Sequence, residues 1–302
     1  MPLTIPVSPT RPLSLDEFCD LLDADLDVDD EPTVLPAQAP RLASLMLDRR
    51  LVVEALVGNL CSLAVAGDGS RPNAFSGQSI LLARRSRFVV RANIWTPRAA
   101  RGIVAYEEEF AAYQVAHNHP VDFLTGGFWG SGYETVLHHY EPARDAVAPR
   151  EGQCITLDYV GRARLGPGTV MHYDATHDVH HQKHAEDLSI SINVIVRTPS
   201  TQMNRQLLFD ARTSRVTAVA DVNGGAQHGI VEIAELLLGT PQAHLFETIA
   251  LDHGAPDLRI AAWRALAAIE PSRRDAITAM ARRDSHPAVR TCLASDADAE
   301  AS

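Results

Sequence analysis

Nine of the thirteen histidines in this 302-residue chain fall between His117 and His184. They open as His117-Asn118-His119, continue with the adjacent His138 and His139, and resume at His172, His177, His180, His181 and His184. The last group stands just ahead of a strand-like run, Ser189-Ile190-Ser191-Ile192-Asn193-Val194. Side chains at i and i+2 of a strand point to the same face, so one strand can aim His117 and His119 at one point. A third histidine from a distant strand would complete a three-nitrogen face on a divalent metal. Imidazole suits zinc, copper, iron or nickel, and a facial ligand set with open positions is what non-haem iron oxygenases use. The spacing therefore predicts a metal-holding β-structure.

Charge and cysteine usage narrow the alternatives. A formal net charge of -11 leaves no basic stripe for releasing counterions, so a nucleic-acid partner is not expected. The acidity is uneven, with nine Asp or Glu and no Lys or Arg in residues 16–31. Cys19, Cys61, Cys154 and Cys292 are dispersed and form no C-x-x-C pair, which fits a reducing compartment better than a disulfide framework or a thiolate zinc site. The start, Met-Pro-Leu-Thr-Ile-Pro, lacks a charged segment followed by an apolar core, and the most apolar stretch, Leu51 to Ala66, is interrupted by Glu54, Asn59 and Ser62. A cytoplasmic protein with no membrane partner is the expectation. No phosphate-binding G-x-x-x-x-G-K-S/T, G-x-S-x-G elbow or H-E-x-x-H helix occurs, which removes the common nucleotide, serine-hydrolase and zincin readings.

Four segments are expected. Residues 1–66 form an N-terminal helical segment, in which Ser14 and Glu17 have capping-box spacing ahead of Phe18, Leu21, Leu22 and Leu26. The Asp23-Ala-Asp25-Leu-Asp27-Val-Asp29 run imitates a calcium loop, but Val28 stands where the turn glycine belongs and Val34 where the bidentate glutamate belongs, so a solvated acidic loop is expected. A second helix is predicted over Leu42 to Leu63. Residues 67–225 then switch to strands: Phe88–Trp95, Val121–Thr125, Tyr133–Tyr140, Leu157–Leu165, Thr169–Tyr173 and Ser189–Arg197, with Gly130-Ser131-Gly132 predicted as a hairpin turn. Tyr106–Tyr113 is readable as helix or strand. Residues 226–296 return to helix, and 297–302 are expected to be a disordered tail.

The C-terminal segment contains a short internal repeat. Pro256-Asp-Leu-Arg259 recurs as Pro287-Ala-Val-Arg290, each preceded by an aspartate, Asp252 or Asp284. Its period and helix start resemble a HEAT-type repeat. One copy and the beginning of a second are too few for a free-standing solenoid, so packing on the β-domain is expected.

From His117 to Val194 the chain resembles the cupin superfamily. The first cupin motif carries a His-x-His pair, an acid and a glycine, matched here by His117-Asn118-His119, Asp122, and Gly126 with Gly127. The acid comes early in the motif, so Asp122 either bulges into the site or points away. The second half resembles the closing motif of cysteine-dioxygenase-like and jumonji-type cupins: a Pro167-Gly168 turn, a strand, a loop bearing a ligand histidine, then the Ser189-Ile190-Ser191 strand. The resemblance implies a mainly β, double-stranded β-helix (jelly-roll) barrel with helices on either side. It also implies a metal held by His117, His119 and His180, with His177 and His181 as alternatives for the third place. His172 reads as structural or as an outer partner, and at most one of His138 and His139 faces the interior. Asn118, Asp178, Gln182 and Tyr140 are candidates for orienting the ligand rings.

The expected activity is that of an Fe(II)-dependent oxygenase or hydroxylase using O2 on a small molecule, amino-acid-like or carrier-bound. Tyr133 and Asp122 are the candidate catalytic groups. Phe123, Phe128 and Trp129 are expected to wall the pocket, with Arg197, or alternatively Arg162 or Arg164, as a carboxylate clamp. Zn, Mn or Ni would instead suit an oxygen-independent isomerase, epimerase or lyase. The place where 2-oxoglutarate enzymes carry an acid is His119 here, which disfavours that cosubstrate. A non-catalytic binding or scaffold protein, a homodimer, and a carrier or partner protein on the helical segments complete the readings.

Overall fold

A computed structural model describes residues 2–9, 11–26, 34–65, 74–76, 78–97, 113–142, 149–196, 204–220, 225–238, 240–253 and 256–293. Arg197, the tail 297–302, residues 106–112 and most of the second half of the acidic run lie outside them. The chain divides into two compact units, Met1–Ala220 and Asp221–Ser302.

Among the described residues the first unit has thirteen strands in two antiparallel sheets. In chain order they are β1 (Leu3–Ile5), β2 (Ala74–Ser76), β3 (Ser79–Arg84), β4 (Phe88–Trp95), β5 (Ala116–His117), β6 (Phe123–Trp129), β7 (Tyr133–Tyr140), β8 (Leu157–Leu165), β9 (Val170–Tyr173), β10 (Asp178–Gln182), β11 (Ser189–Val196), β12 (Gln206–Asp210) and β13 (Arg215–Ala220). One sheet has the order β1-β9-β6-β11-β4-β3-β2 and the other β13-β12-β5-β10-β7-β8. Numbering β4 through β11 as one to eight turns the central strands into 6-3-8-1 and 2-7-4-5, the interleaved order of a jelly roll. The fold is thus a mainly β jelly-roll barrel with flanking helices, the architecture that the resemblance implied.

The Gly130-Ser131-Gly132 turn corrects one expectation. Both glycines have positive φ, 81° and 79°, as a tight reversal requires. However, β6 pairs with β9 and β11 while β7 pairs with β8 and β10, so the turn carries the chain from one sheet to the other and closes no hairpin. Turn chemistry specifies a reversal; it does not specify which strands then pair.

Strand alternation sorts the side chains. On β4, Phe88, Val90 and Ala92 join Leu124 and Phe128 of β6 and Ile192, Val194 and Val196 of β11 in a core shared with the N-terminal helices. Those are α1 (Leu15–Leu26), α2 (Val34–Ala37), α3 (Ala39–Leu45) and α4 (Leu51–Val65), of which α1 to α3 supply Phe18, Leu22, Leu35, Leu42 and Leu45. The Ser14 hydroxyl accepts the Glu17 N–H at 3.1 Å, so the predicted cap starts α1. The single helix predicted over 42–63 is broken after Leu45, because the Asp48 carboxylate accepts the Arg50 N–H at 3.0 Å and starts a new helix. Gly126 lets α3 approach: a Cβ there would run into the Met46 thioether. From the opposite faces of β4 and β6, Trp95 and Phe123 join Tyr133 and Leu137 of β7 and Met171 and Tyr173 of β9 in a second cluster between the sheets.

The second unit is helical: α5 (Gly225–Leu238), α6 (Ala243–Asp252), α7 (Pro256–Ile269), α8 (Arg274–Ala281) and α9 (Pro287–Thr291), around Phe246, Leu258, Trp263, Leu266, Ile277 and Val289. Pro256 and Pro287 open helices, as the repeat suggested. Arg259 of the first copy makes a bidentate pair with Asp284, the residue ahead of the second, with both contacts at 2.8 Å. Among the described residues no helix is long and apolar enough to cross a membrane.

Candidate metal centre

Strand β5 is only two residues long, because Asn118 ends it. The Asn118 amide oxygen accepts the Leu207 N–H at 2.7 Å, its Nδ2 donates to the Thr176 carbonyl at 3.0 Å, and Pro120 soon removes another backbone donor. His119 thus lies just beyond the strand rather than on it, a departure from the simple i/i+2 argument. Its carbonyl is held by the Thr176 N–H at 2.7 Å. Thr176 has φ +69°, a left-handed conformation that a β-branched residue adopts only when its surroundings impose it. Two of the four histidines predicted on a loop are on a strand: His180 and His181 lie within β10, which runs between β5 and β7 in the sheet, while His177 and His184 flank it.

The structure brings His117, His119 and His180 together. One ligand nitrogen from each lies within 4.8 Å of the others. His180 pairs with His117 across the ladder, and the Nε2 atoms of His119 and His180 are 3.3 Å apart. Two ligands on bonds of about 2.0–2.1 Å to a single ion lie about 3.0–3.4 Å apart, so this spacing fits a shared metal. Nδ1 of His117 is 2.8 Å from the Val115 carbonyl; donating there leaves Nε2 with its lone pair facing the group. Burial pushes the His117 pKa down, and burial followed by the neighbouring imidazoles pushes those of His119 and His180 well down. All three are therefore neutral rings with lone pairs to offer, the form a metal needs.

Asp122 does not join them. Its carboxylate accepts the Ala175 N–H at 2.9 Å and stands 3.9 Å from His172 Nε2, so it secures the loop that carries Thr176. Burial raises its pKa. His181 turns the other way, toward His138 with ring centroids 6.2 Å apart. His177 sits beside His139 and Glu141 in a second group. Asp178 accepts the Asp174 N–H at 2.8 Å, and Tyr140 is buried with Phe209 in a separate core cluster.

The wall beside the histidines is aromatic. Phe123 meets His119 edge to face at 4.6 Å and stacks on Tyr173 at 4.7 Å, while Tyr173 meets His180 at 4.4 Å. Tyr133 is buried, lies 4.1 Å from the Trp95 ring, and hydrogen-bonds with Ser191 and Thr125; burial raises its pKa. Phe128, expected in this wall, faces the helices instead, because it is an odd number of positions along β6 from Phe123. Trp129 is 56% exposed. Arg162 and Arg164 form surface pairs with Glu134 and Glu186.

Sequence reasoning missed a half-buried cation, Arg91. It shares a face of β4 with Asn93 and Trp95, opposite the core-forming Phe88, Val90 and Ala92. Burial lowers its pKa to about 10, and its charge is felt by Tyr133, His117 and His119. The polar series Arg91, Asn93 was legible in the alternation, but either face of β4 could have been the outer one. Tyr173 was missed because nothing local to β9 points to His180.

No known family model matches this sequence. No curated protein matches it. Among solved structures, it is similar to hydroquinone 1,2-dioxygenase from Sphingomonas sp. TTNP3 at 10% identity, covering 42% of this chain and 69% of that one with a TM-score of 0.27. A sugar phosphate isomerase from a cupin superfamily of Silicibacter pomeroyi is similar at 16% identity, over 48% and 76% of the two chains, with a TM-score of 0.25. DMSP lyase DddQ from Ruegeria pomeroyi DSS-3 is similar at 13% identity, over 65% and 78%, with a TM-score of 0.24. The fold assignment rests on strand order, and these likenesses add no residue-level correspondence to it.

Proposed function

We propose that this protein is a metal-dependent cupin enzyme, a non-haem Fe(II) oxygenase or hydroxylase acting on a small anionic molecule such as an amino-acid-like compound. The observation that carries the reading is the convergence of three neutral imidazoles, the buried His117 and His180 and the half-buried His119, against an aromatic wall. When bound, Fe(II) supplies the capacity to activate dioxygen, and three protein ligands leave coordination positions open. The absence of a carboxylate from this trio, with Asp122 committed to Ala175, sets the site apart from the two-histidine, one-carboxylate arrangement and disfavours 2-oxoglutarate.

The chain's own groups have separable tasks. Phe123, Tyr173 and Trp95 exclude water from the interior. Arg91 supplies a desolvated positive charge for an acidic substrate group. Tyr133, kept protonated by burial, presents a hydroxyl that donates or accepts without ionising. Asn118 and Asp122 are positioning residues that hold the His119 backbone through the Thr176 loop.

The oxygen-independent reading, an isomerase or lyase on Mn, Zn or Ni, draws its support from the same imidazoles and from the buried Tyr173 beside His180. Protein purified anaerobically without an affinity metal is expected to hold near-stoichiometric iron and to consume oxygen with carboxylate substrates. Turnover retained after His117→Ala and His119→Ala together would sink the metal-enzyme reading; turnover that persists without oxygen would select the isomerase or lyase.

A further inference from the structure

We infer that the barrel carries a second divalent-metal site, formed by His139, Glu141 and His177, which takes a first-row transition metal of the zinc type independently of the His117 group. One ligand atom from each of these three residues lies within 4.8 Å of the others. The two groups share a construction. Strand β10 lies between β5 and β7. On one side of it, His117 and His119, two positions apart, meet His180 of β10. On the other, His139 and Glu141, also two positions apart, meet His177, the residue that precedes β10. Pairing of Asp178 with His139 in the ladder fixes the register that brings His177 alongside.

The second site is held from outside as metal sites are. Nδ1 of His177 is 3.2 Å from the Tyr140 carbonyl, and the Tyr140 N–H donates to the His177 carbonyl at 2.9 Å. Donation from Nδ1 leaves the His177 Nε2 lone pair for a ligand, the arrangement in which a backbone carbonyl sets the tautomer of a metal-binding histidine. The His139 and His177 rings are nearly parallel, 13° apart with centroids at 5.7 Å, and His139 Nε2 is 4.0 Å from a Glu141 oxygen. Closing that gap to the roughly 3.3 Å of two ligands on one zinc needs only small side-chain movements. The His139 and Glu141 side chains are 25% and 35% exposed, so an ion reaches them from solvent without passing through the barrel. Two imidazoles and a carboxylate form a hard-to-borderline set that suits zinc and leaves a coordination position for water.

The test is metal stoichiometry of the full-length, chelator-stripped protein titrated with Zn(II), with Co(II) absorption as a second readout. Wild type is expected to take up about two equivalents, and His139→Ala about one. The isosteric Glu141→Gln, which leaves the local volume intact, should weaken the second event at least about tenfold. The His117→Ala, His119→Ala variant should keep the event that His139→Ala removes. Unchanged stoichiometry and affinity in both His139→Ala and Glu141→Gln would overturn the inference. Loss of binding only in the His117 variant would also overturn it, while leaving the proposed function standing. Binding that survives the His117 variant and disappears with His139→Ala would uphold this site and remove the first.

Discussion

The Nε2 atoms of His119 and His180 lie 3.3 Å apart although 61 residues separate them in the chain. Between two neutral rings that gap admits a single shared proton or a common ligand. Burial disfavours the extra positive charge that would come with protonating both. The surrounding backbone is what holds the rings this close: the His117–His180 ladder pair on one side and the Thr176–His119 hydrogen bond on the other.

Removing a direct ligand should be decisive. His180→Ala is expected to weaken metal binding at the first site more than about 100-fold, beyond the 10–100-fold typical of losing an outer partner. His181→Ala, whose ring turns toward His138, should leave that affinity unchanged. Metal titration of the two variants side by side checks the assignment of the third ligand.

The metal-free protein should lose stability as the pH falls below about 6.5. The folded pKa values of His117, His119 and His180 are depressed, so between those values and the unfolded value the unfolded chain binds more protons. Stability from these groups is complete above the unfolded pKa and is lost on acidification, by up to about 1.4 kcal/mol per pH unit for each imidazole. The raised carboxyls of Asp122 and Asp178 act in the opposite sense, and only as the pH approaches their own range above 3.8. Denaturant midpoints between pH 5 and 8, with and without Zn(II), measure the effect, and added metal should flatten the upper part of the curve. A flat metal-free profile would contradict the buried, neutral assignment.

Adjacent glycines on β6 should respond unequally to a methyl group. At Gly127 a Cβ would overlap the Gly166 backbone carbonyl, which cannot move without shifting the turn before β9. At Gly126 it meets the end of the Met46 side chain, which can rotate away. Gly127→Ala is therefore expected to cost about 3 kcal/mol and Gly126→Ala about 1 kcal/mol, read from urea unfolding. Adding Met46→Ala should relieve much of the overlap at position 126 and none at position 127.

In the second unit, Arg259→Ala should destabilise by about 3 kcal/mol. Its partner Asp284 is nearly buried and would be left charged without the bidentate contact. Arg259→Lys cannot reproduce the fork and should recover little of that loss. Replacing both partners, Arg259→Met with Asp284→Leu, should recover most of it. Thermal unfolding of the full chain gives all three values.

Much of the barrel was written locally. Phe88–Trp95, Tyr133–Tyr140 and Leu157–Leu165 are strands with the limits their alternation predicts, because β-branched and aromatic residues with flanking breakers are local signals. The Ser14 cap and the proline helix starts were legible for the same reason. The density of histidines between His117 and His184 marked the segment in which three imidazoles converge.

What the sequence alone determined, then, was the period of each segment, the turns between them and the kind of chemistry its histidines favour. Only the tertiary structure decided which strand sits beside which, and with it the company each side chain keeps. It sent Phe128 to the helices, left Arg91 half-buried on β4, tied Asp122 to a loop and drew His177 away from His180 to stand with His139 and Glu141. The reason is physical. Alternation along a strand is a one-residue rule, whereas the partner across a jelly roll is chosen by burial of whole faces, and that choice depends on strands far apart in the chain.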